Sequence, residues 1–403
     1  MEMLEDVGRF CKDEIWAQCR EWDMTGQWPR EVYEKAFDMG YQTLDIPESY
    51  GGPGLDMIDA AALLEQIAMA DAGIAVTLAA SNLGLKPIML AGTEAQKQRA
   101  CSLIINGGLG AFCLTEPQAG SDAGAVQTTA VREETVDPTN ALWEETVDPT
   151  DAVHEGDVDR MTAVREDGVY ILNGRKTFIT NGSVAAFYCV AAMTDSDKGT
   201  RGMTMFFVEA DNPGVTAENH ENKMGIRTSD TCDVVFDNCR IPVSSRIGAE
   251  GGGFAIAMAA LDQGRAWMGC VAVGIAQRAL EEAVSYGKKR CQFGKPILKN
   301  QALRFKIADM AMKTETARQM TAHALTLIGQ GQPCTAQAAM AKCYASDIAM
   351  EVASEAIQVF GGYGYSREYP VEKLLRDAKI FQIFEGTNEI QRMVIASEVL
   401  LRN

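Results

Sequence analysis

The order in which local patterns follow one another constrains the fold of this 403-residue chain most strongly. The first hundred residues carry helix formers with apolar residues at mixed i+3 and i+4 spacing, as at Glu31–Met39 and Ala60–Met69. Residues 111–242 are β-rich and interrupted by turn signals, and the chain is helical again from Gly251. Strands do not alternate with helices, which argues against a Rossmann unit and indicates an α+β fold.

We expect three domains, which comprise residues 1–110, 111–242 and 243–403. The middle domain contains short apolar runs that we interpret as strands, with Asn173-Gly174 and Asn181-Gly182 as turns between them. These strand candidates are 169–172, 177–180, 187–190, 203–208 and 231–237. The third domain contains three long Ala-rich and Met-rich patterns typical of an antiparallel helical bundle. They are 255–289, 301–329 and 335–360.

An acidic segment interrupts the middle domain. Residues 133–139 recur as 144–150, and residues 129–133 recur as 162–166. We interpret about 133–161 as a duplicated acidic insertion in a surface hairpin, solvated and tolerated there. Docking of a partner protein is the alternative.

Charge and composition exclude several classes of function. The net charge is −18 and no basic stripe occurs, so a nucleic-acid partner is not expected. The eleven Cys residues include no C-x-x-C pair, and the three His residues lie far apart, so we expect free buried thiols and no metal. The longest clean apolar run, 185–193, is too short to span a bilayer, and the N-terminus is acidic. We therefore expect a cytoplasmic protein without a membrane segment.

Three clusters could carry chemistry. Residues 112–122 join a strand end to a Gly/Ser turn that suits a phosphate or a polar ring edge. Residues 176–182 place an aromatic side chain and Thr on one strand, where they could face a flat ring. In 383–391, Glu385 lies between Phe384 and Gly386, where apolar neighbours would raise its pKa. Taken singly, each cluster is better explained by a plain turn, hairpin or helix start.

The clusters gain meaning in combination with other motifs in the same order. The set comprises TEP…GSD (115–122), FITNG (178–182), LDQGR (261–265), RCQFGKP (290–296), QVFGG (358–362) and FEGTNE (384–389). Together with PESYGG at 47–52, these motifs resemble the acyl-CoA dehydrogenase family over nearly the whole chain, and the short-chain, butyryl-CoA-like branch in particular. The resemblance implies an N-terminal helical domain, a middle β-barrel-like domain and a C-terminal four-helix bundle. It also implies a homotetramer with FAD spanning a subunit interface.

The resemblance also implies roles for particular residues. Glu385 would be the catalytic base, and some branches place the base instead at the position of Gly264. The flavin and its ribityl chain would contact Phe112, Cys113, Leu114, Thr115, Gly120 and Ser121, and the ring would face Phe178, Ile179 and Thr180. Arg290 and Gln301 would hold phosphate or ribose, as would Gln358, Val359, Phe360, Gly361 and Gly362 of the neighbouring subunit, while Thr387, Asn388 and Glu389 close the cofactor site. The acyl-CoA would contact Ser121, Asp262, Gln263, Gly264, Arg265 and Gly386. The family more often has Trp where Phe178 stands.

The function that this resemblance implies is oxidation of a short acyl-CoA to the trans-2-enoyl-CoA, with electrons passed to an electron-transfer flavoprotein. Three alternatives stay open at this point. The first is an enoyl- or acryloyl-CoA reductase within an electron-bifurcating complex. The others are an acyl-CoA oxidase and a non-catalytic acyl-CoA-binding flavoprotein.

Overall fold

The computed structural model describes residues 2–133 and 168–401. The acidic insertion expected at about 133–161 therefore lies, apart from Glu133, outside the described residues. The strands on either side of it pair antiparallel, with Glu133 opposite Val169.

The N-terminal part is helical, as predicted. Its helices are α1 (Glu2–Phe10), α2 (Cys19–Thr25), α3 (Arg30–Asp38), α4 (Met57–Ala70), α5 (Ala72–Ala91) and α6 (Glu94–Ile105). Helix α6 begins at a capping box in which the Thr93 side chain accepts from the Gln96 N–H and Gln96 bonds back to the Thr93 N–H. The Thr-x-x-Gln spacing of residues 93–96 predicts a capped helix start here, and the structure confirms it.

Helix α5 lies in the part that was predicted to be helical, but its limits were not predicted. It has 20 residues and is, by length and composition alone, apolar enough to cross a membrane. The protein itself buries 78% of its most apolar window, which is what a core helix shows. Because α5 is covered on nearly every side, it has no polar face, and its residues show no helical periodicity to detect.

Within the described residues, the middle part forms an eight-stranded sheet with the order β6-β7-β3-β2-β4-β5-β8, in which β1 pairs parallel with β4. The strands are β1 (Gly110–Cys113), β2 (Thr129–Glu133), β3 (Val169–Thr180), β4 (Phe187–Met193), β5 (Met203–Glu209), β6 (Val215–Glu218), β7 (Thr231–Pro242) and β8 (Arg246–Ile247). The turn predicted at Asn173-Gly174 is wrong: β3 runs through both residues, and its register with β7 shifts there as at a β-bulge. Asn181-Gly182 does form a turn.

The C-terminal part is helical, and the predicted limits of its second and third long helices are confirmed. Its helices are α7 (Gly253–Lys289), α8 (Gln301–Gly329), α9 (Thr335–Phe360), α10 (Val371–Ile380) and α11 (Asn388–Leu401). A hairpin of β9 (Cys291–Gln292) and β10 (Lys295–Pro296) joins α7 to α8. The overall α+β architecture, with its helical ends and β-rich middle, is as predicted.

Two helices connect the parts. The first half of α5 packs with α7 and α9 in one apolar core, while Leu85 and Ile88 from its second half pack with β4 and β5 in another. Helix α7 likewise contributes Ala257 to the sheet-side core and Ala266 onward to the bundle core. A site that lies beside both α5 and α7 is therefore held by all three parts of the chain.

A buried ionic cluster, here called the domain joint, reinforces this connection. The ammonium of Lys373 on α10 lies between the carboxylates of Asp71, which caps α5, and Asp377. The loop before β7 closes the joint, because the Ile226 N–H donates to Asp377 and the Thr228 hydroxyl donates to Asp71. Each of the three parts thus supplies polar groups that the others satisfy, as buried charges require.

Candidate active site

Glu385 lies in the turn between α10 and α11, in a conformation that few residue types adopt. Its φ is 51° and that of Gly386 is 89°, so two consecutive residues are left-handed. A bulky residue in this region is strained and persists only where its surroundings impose it. Here the Gln391 side chain donates to the carbonyls of both residues at 3.0 Å, and Arg265 Nε approaches the Glu385 carbonyl at 3.4 Å.

The carboxylate of Glu385 is buried and unpaired. The residue as a whole keeps some solvent contact, but its Oε2 atom has essentially none and no hydrogen-bond partner among the described residues. Helix α7 passes directly beside it: a Cβ at Gly264 would stand 2.7 Å from Oε2. Burial raises the pKa of Glu385 from 4.5 to about 7, although the positive charges of Lys342 and Arg265 act to lower it.

These properties suit a general base. A carboxyl whose pKa lies near neutrality is ionised often enough to accept a proton and is basic enough to remove one. The Glu385 N–H has no acceptor in the part of the chain that the structure describes, so it can donate to a substrate oxygen. Proton acceptor and hydrogen-bond donor therefore belong to the same residue.

The end of β3 and the turn after it, residues 178–182, contact helix α5, which also passes beside Glu385. The Asn181 side chain donates to the Thr77 carbonyl on α5, and Leu83, which meets the Gly264–Glu385 contact, is six residues further along that helix. Six residues of α-helix rise about 9 Å. Phe178 has φ 55° and a 62% exposed side chain, whereas Ile179 is buried. The turn that follows the exposed Phe178 and the buried Glu385 carboxylate thus both adjoin helix α5.

The segment that follows β1, residues 113–121, lies beside the end of β3. The Thr115 carbonyl accepts from the Thr177 N–H at 2.9 Å, and Lys176 forms a buried ion pair with Glu116 at 2.7 Å and also donates to the Leu114 carbonyl. Cys113 and Leu114 have buried side chains, Phe112 and Thr115 are half-buried, and Gly120 and Ser121 are exposed. Of these predicted contacts, Cys113 and Leu114 can offer a ligand mainly backbone groups.

Arg290 and the 358–362 segment form a second location, remote from Glu385. Arg290, Phe360, Gly361 and Gly362 line one cleft of about 420 Å³, with the Arg290 guanidinium 5.3 Å from the Tyr363 ring centre. Arg290 follows the end of α7, 26 residues beyond Gly264. At 1.5 Å per residue this is roughly 39 Å along the helix. The sequence prediction assigned Arg290 to one subunit and residues 358–362 to its neighbour. In the structure, a ligand in this cleft would contact Arg290 and Gly361–Gly362 of the same chain.

The remaining predicted site residues differ in whether their side chains are available to bind a ligand. Asp262 accepts from Arg265 and from Thr335, so these side chains are engaged with each other beside the base, and Gln263 is half-buried next to them. The Asn388 side chain is used entirely inside the protein, in bonds with Lys342, Ser346, Cys343 and Asp347. Its predicted contact with a cofactor can therefore involve only its backbone. Thr387 is half-buried, and Glu389, Gln301 and Gln358 are exposed.

Sequence reasoning missed three residues of these sites. Gln391 and the buried Lys342 hold the Glu385–Gly386 turn. Phe293, 95% exposed with φ 53°, projects from the hairpin beside the remote cleft. A signal for Lys342 was present, since it is the one charged residue among the buried positions Ala338, Ala341, Ala345 and Ala349 of α9, which follow helical spacing.

One group of potential metal ligands converges although the sequence suggested none. Ligand-type atoms of His220, Asp230 and Cys232 lie within 4.8 Å of one another. Asp230 already accepts from the Ser183 N–H and from His220, and burial raises the pKa of the Cys232 thiol to about 12. Because Asp230 is already engaged and the Cys232 thiol keeps its proton, we do not assign a metal to this group.

Comparison with known proteins supplies the context for this geometry. Three family models match in chain order: the acyl-CoA dehydrogenase N-terminal domain at 1–108, the middle domain at 149–239 and the C-terminal domain at 251–400. The short-chain specific acyl-CoA dehydrogenase of Megasphaera elsdenii is 44% identical over 94% of this chain and 92% of its own length.

Solved structures agree with these matches. Butyryl-CoA dehydrogenase from Megasphaera elsdenii superposes with a TM-score of 0.89 at 42% identity and covers 99% of this chain and 97% of that one. A second solved structure concerns the electron transferring flavoprotein of Acidaminococcus fermentans and flavin-based electron bifurcation. Its matching chain superposes with a TM-score of 0.88 at 42% identity, and the match covers 100% of this chain and 97% of that one. The likeness thus extends over all three parts of the chain, including helix α7 and the turn that carries Glu385.

The sequence motifs, the buried unpaired carboxylate and the full-length matches agree. The chain belongs to the acyl-CoA dehydrogenase family and is an FAD-dependent oxidoreductase that acts on the CH–CH bond of acyl-CoA thioesters.

Proposed function

We propose that the protein oxidises a short-chain acyl-CoA to its trans-2-enoyl-CoA and passes the electrons to an electron-transfer flavoprotein, as a homotetramer in the cytoplasm. The observation that carries the proposal is the buried, unpaired Oε2 of Glu385, whose raised pKa suits removal of a carbon-bound proton.

The residues around Glu385 fit the flavin that the family requires. An exposed Phe178 offers a ring surface, and the exit of β1 with Gly120 and Ser121 offers backbone groups next to it. FAD, when bound, would supply the acceptor for the hydride that leaves the substrate Cβ. The family more often has Trp where Phe178 stands, and a Phe ring keeps the stacking surface at a smaller size.

The protein's own part in the reaction is positioning and proton transfer. The carboxylate of Glu385 takes the α-proton of the thioester, and its backbone N–H donates to the thioester oxygen, where negative charge develops. Entry of the acyl chain beside Gly264 and Leu83 would remove water from the carboxylate and raise its basicity further. Gly264 has no side chain that could itself act as the base, which leaves this role to Glu385.

The short-chain preference and the partner rest on the relatives. The Megasphaera elsdenii proteins are named short-chain specific and butyryl-CoA dehydrogenases. The Acidaminococcus fermentans likeness concerns an electron transferring flavoprotein and electron bifurcation. This second likeness favours one further candidate, an enoyl-CoA reductase subunit that works in the opposite direction within a bifurcating complex.

The proposed assembly of several copies is supported by the distance between Glu385 and the Arg290 cleft. The cleft of Arg290 and Gly361–Gly362 lies roughly 39 Å along α7 from the base. A single FAD whose ring lies beside Glu385 does not reach that far within one chain, so the cleft would serve the cofactor of a second copy. Large exposed apolar side chains, Phe293, Phe305 and Met312, are consistent with burial between copies. Eleven free thiols support a reducing compartment such as the cytoplasm.

Anaerobic bleaching of the bound flavin against a series of acyl-CoA esters tests the proposal. We expect the fastest bleaching with a short straight chain and efficient transfer to an electron-transfer flavoprotein. NADH-driven reduction of an enoyl-CoA in a copurified flavoprotein complex would instead favour the reductase. Peroxide release under air would indicate an oxidase, and a yellow protein that no acyl-CoA bleaches would indicate a non-catalytic binding protein.

A further inference from the structure

We propose that Lys342 is a positioning residue for the dehydrogenation: its ammonium fixes the turn that carries Glu385 and supplies the unmatched positive charge that keeps this buried carboxylate ionisable. The inference rests on the proposed role of Glu385 as the base. Lys342 touches neither substrate nor the reacting atoms in this arrangement, and it would act only through Glu385.

The contacts of Lys342 are all directed at this turn. It is 1% exposed on the face of α9 that packs into the protein. Its Nζ donates to the Gly386 carbonyl at 2.7 Å and to Asn388 Oδ1 at 3.0 Å. Gly386 follows the base directly and Asn388 begins α11, so a single ammonium ties both ends of the turn to α9.

The turn needs such support because both of its residues are left-handed. Glu385 has φ 51° and Gly386 has φ 89°. Lys342 and Gln391 both donate to the Gly386 carbonyl, so the peptide group that follows these residues is held by one charged and one neutral donor. The two donors bind the same oxygen but differ in charge. Loss of Gln391 therefore tests support of the turn alone, whereas loss of Lys342 also removes a positive charge near Glu385.

Of the two cations that act on Glu385, Lys342 is the one without a carboxylate partner of its own among the described residues. Helix α7 presents Arg265 and Asp262, which pair with each other, and α11 presents Arg392, which pairs with Asp347 of α9. Glu389 is exposed, Cys343 is a neutral thiol whose pKa burial raises, and α5 presents the apolar Leu83. Within residues 2–133 and 168–401, Lys342 forms no ion pair of its own.

The two titrating groups respond to each other as this arrangement requires. Burial raises the pKa of Glu385 to about 7. The positive charges of Lys342 and Arg265 both lower this pKa, and Lys342 has the larger effect. Burial lowers the pKa of Lys342 to about 8, and the charge of Glu385 raises it. Removal of the ammonium would therefore leave burial of the carboxylate opposed only by Arg265, and Glu385 would ionise at higher pH.

The test compares the pH dependence of flavin bleaching in single turnover for four proteins: wild type, Lys342→Gln, Lys342→Arg and Gln391→Leu. Lys342→Gln retains an N–H donor but not the charge, and we expect its midpoint to lie about one pH unit or more above that of wild type, with bleaching about tenfold slower at pH 6. Lys342→Arg should restore the wild-type midpoint. Gln391→Leu, the neutral control, should slow bleaching without moving the midpoint.

A second readout does not depend on turnover. The pH-dependent infrared band of the carboxyl that disappears in Glu385→Gln reports the ionisation of Glu385, and it should titrate at higher pH in Lys342→Gln and Lys342→Met than in wild type. An unchanged titration midpoint with a uniform loss of rate would overturn the proposal. Failure of both neutral variants to fold would overturn it as well, since Lys342 would then belong to the fold and not to the base. If Glu385→Gln itself still bleaches, it is the proposed function that fails.

Discussion

Gly264 and Glu385 occupy adjoining space so tightly that a single methyl group on Gly264 would stand 2.7 Å from the Glu385 carboxylate oxygen. A real Cβ contact that short does not persist, so either the helix or the carboxylate has to move. The resemblance to the family implies a base at one or the other of these two positions. In this chain the contact leaves no room for a side chain at position 264 while Glu385 keeps its place.

Substitution Gly264→Ala should therefore displace the carboxylate while the fold is retained. Small displacements of a catalytic group cost up to about 100-fold in rate, and we expect at least a tenfold loss in the rate of flavin bleaching. Gly269→Ala on the same helix is the matched control, because its Cβ would stand 3.0 Å from Thr321 Oγ1, at the end of a side chain, and 3.6 Å from the Ala341 backbone, which is ordinary contact. Equal rates for Gly264→Ala and wild type would contradict the placement of the base.

Substitution Glu385→Gln should give a yellow, folded protein that no longer bleaches with acyl-CoA. The amide cannot accept the α-proton, and loss of a general base typically costs about 100- to 10,000-fold. Stopped-flow absorbance of the flavin under nitrogen measures this directly. The exposed carboxylate Glu281 provides the control variant, Glu281→Gln, which should bleach at the wild-type rate. Full activity of Glu385→Gln would show that the base is another residue.

The same variant should be more stable than wild type above neutral pH. The pKa of Glu385 is raised by folding from 4.5 to about 7, so the folded state holds the proton more tightly than the unfolded state does. Stability from this group is thus greatest below pH 4.5 and is lost as the pH rises to 7. At pH 8, Glu385→Gln should exceed wild type by roughly 2–4 kcal/mol in free energy of unfolding. Urea unfolding at pH 5 and pH 8 checks this, and a difference that does not shrink at pH 5 would contradict it.

Loss of the ring at Phe178 should weaken flavin binding. An aromatic contact contributes about 0.5–1.5 kcal/mol, so Phe178→Ala should bind FAD roughly 2- to 10-fold more weakly, while Phe178→Trp should bind at least as tightly as wild type. Titration of the apoprotein with FAD, followed by flavin fluorescence, gives the affinities. Met39→Ala removes another exposed apolar side chain, from the N-terminal part, and should leave the affinity unchanged.

Two inactive variants should complement each other if FAD spans two copies. Glu385→Gln loses the base and Arg290→Glu loses the remote phosphate contact, so in a mixed pair one site carries both defects and the other carries none. Co-refolding in equal amounts should restore about a quarter of the wild-type sites, as random pairing of identical chains requires. Activity of the mixture no higher than that of the two variants alone would place both residues in one chain's site.

Helices that keep a solvent-exposed face could be delimited from the sequence, whereas a helix that is buried on nearly all sides could not. The ends of α8 and α9 were predicted correctly because each begins and ends at turn residues and keeps a polar face. The limits of helix α5 were not predicted, because the protein covers the helix on nearly every side and this leaves no alternation to detect.

Ordered motifs located the base, but its surroundings depend on contacts between distant segments. Glu385 was identified in the sequence, whereas its unpaired Oε2 and its neighbours Gly264 and Lys342 follow from the packing of α7 and α9 around the turn. The Asn173-Gly174 pair shows the opposite error. A strong local turn signal was overruled by the pairing of β3 with β7, and Gly174 took up the bulge instead.

The domain joint has a consequence for how such a chain can be divided or recombined. Lys373 and Asp377 come from the C-terminal part, Asp71 from the N-terminal part, and the Ile226 N–H from the middle part. Arg376, next to them, binds both carboxylate oxygens of Asp23. An isolated fragment would leave these charges without partners, so the three parts are not autonomous modules. Exchange of one of them between relatives should succeed only where all sides of the joint are inherited together.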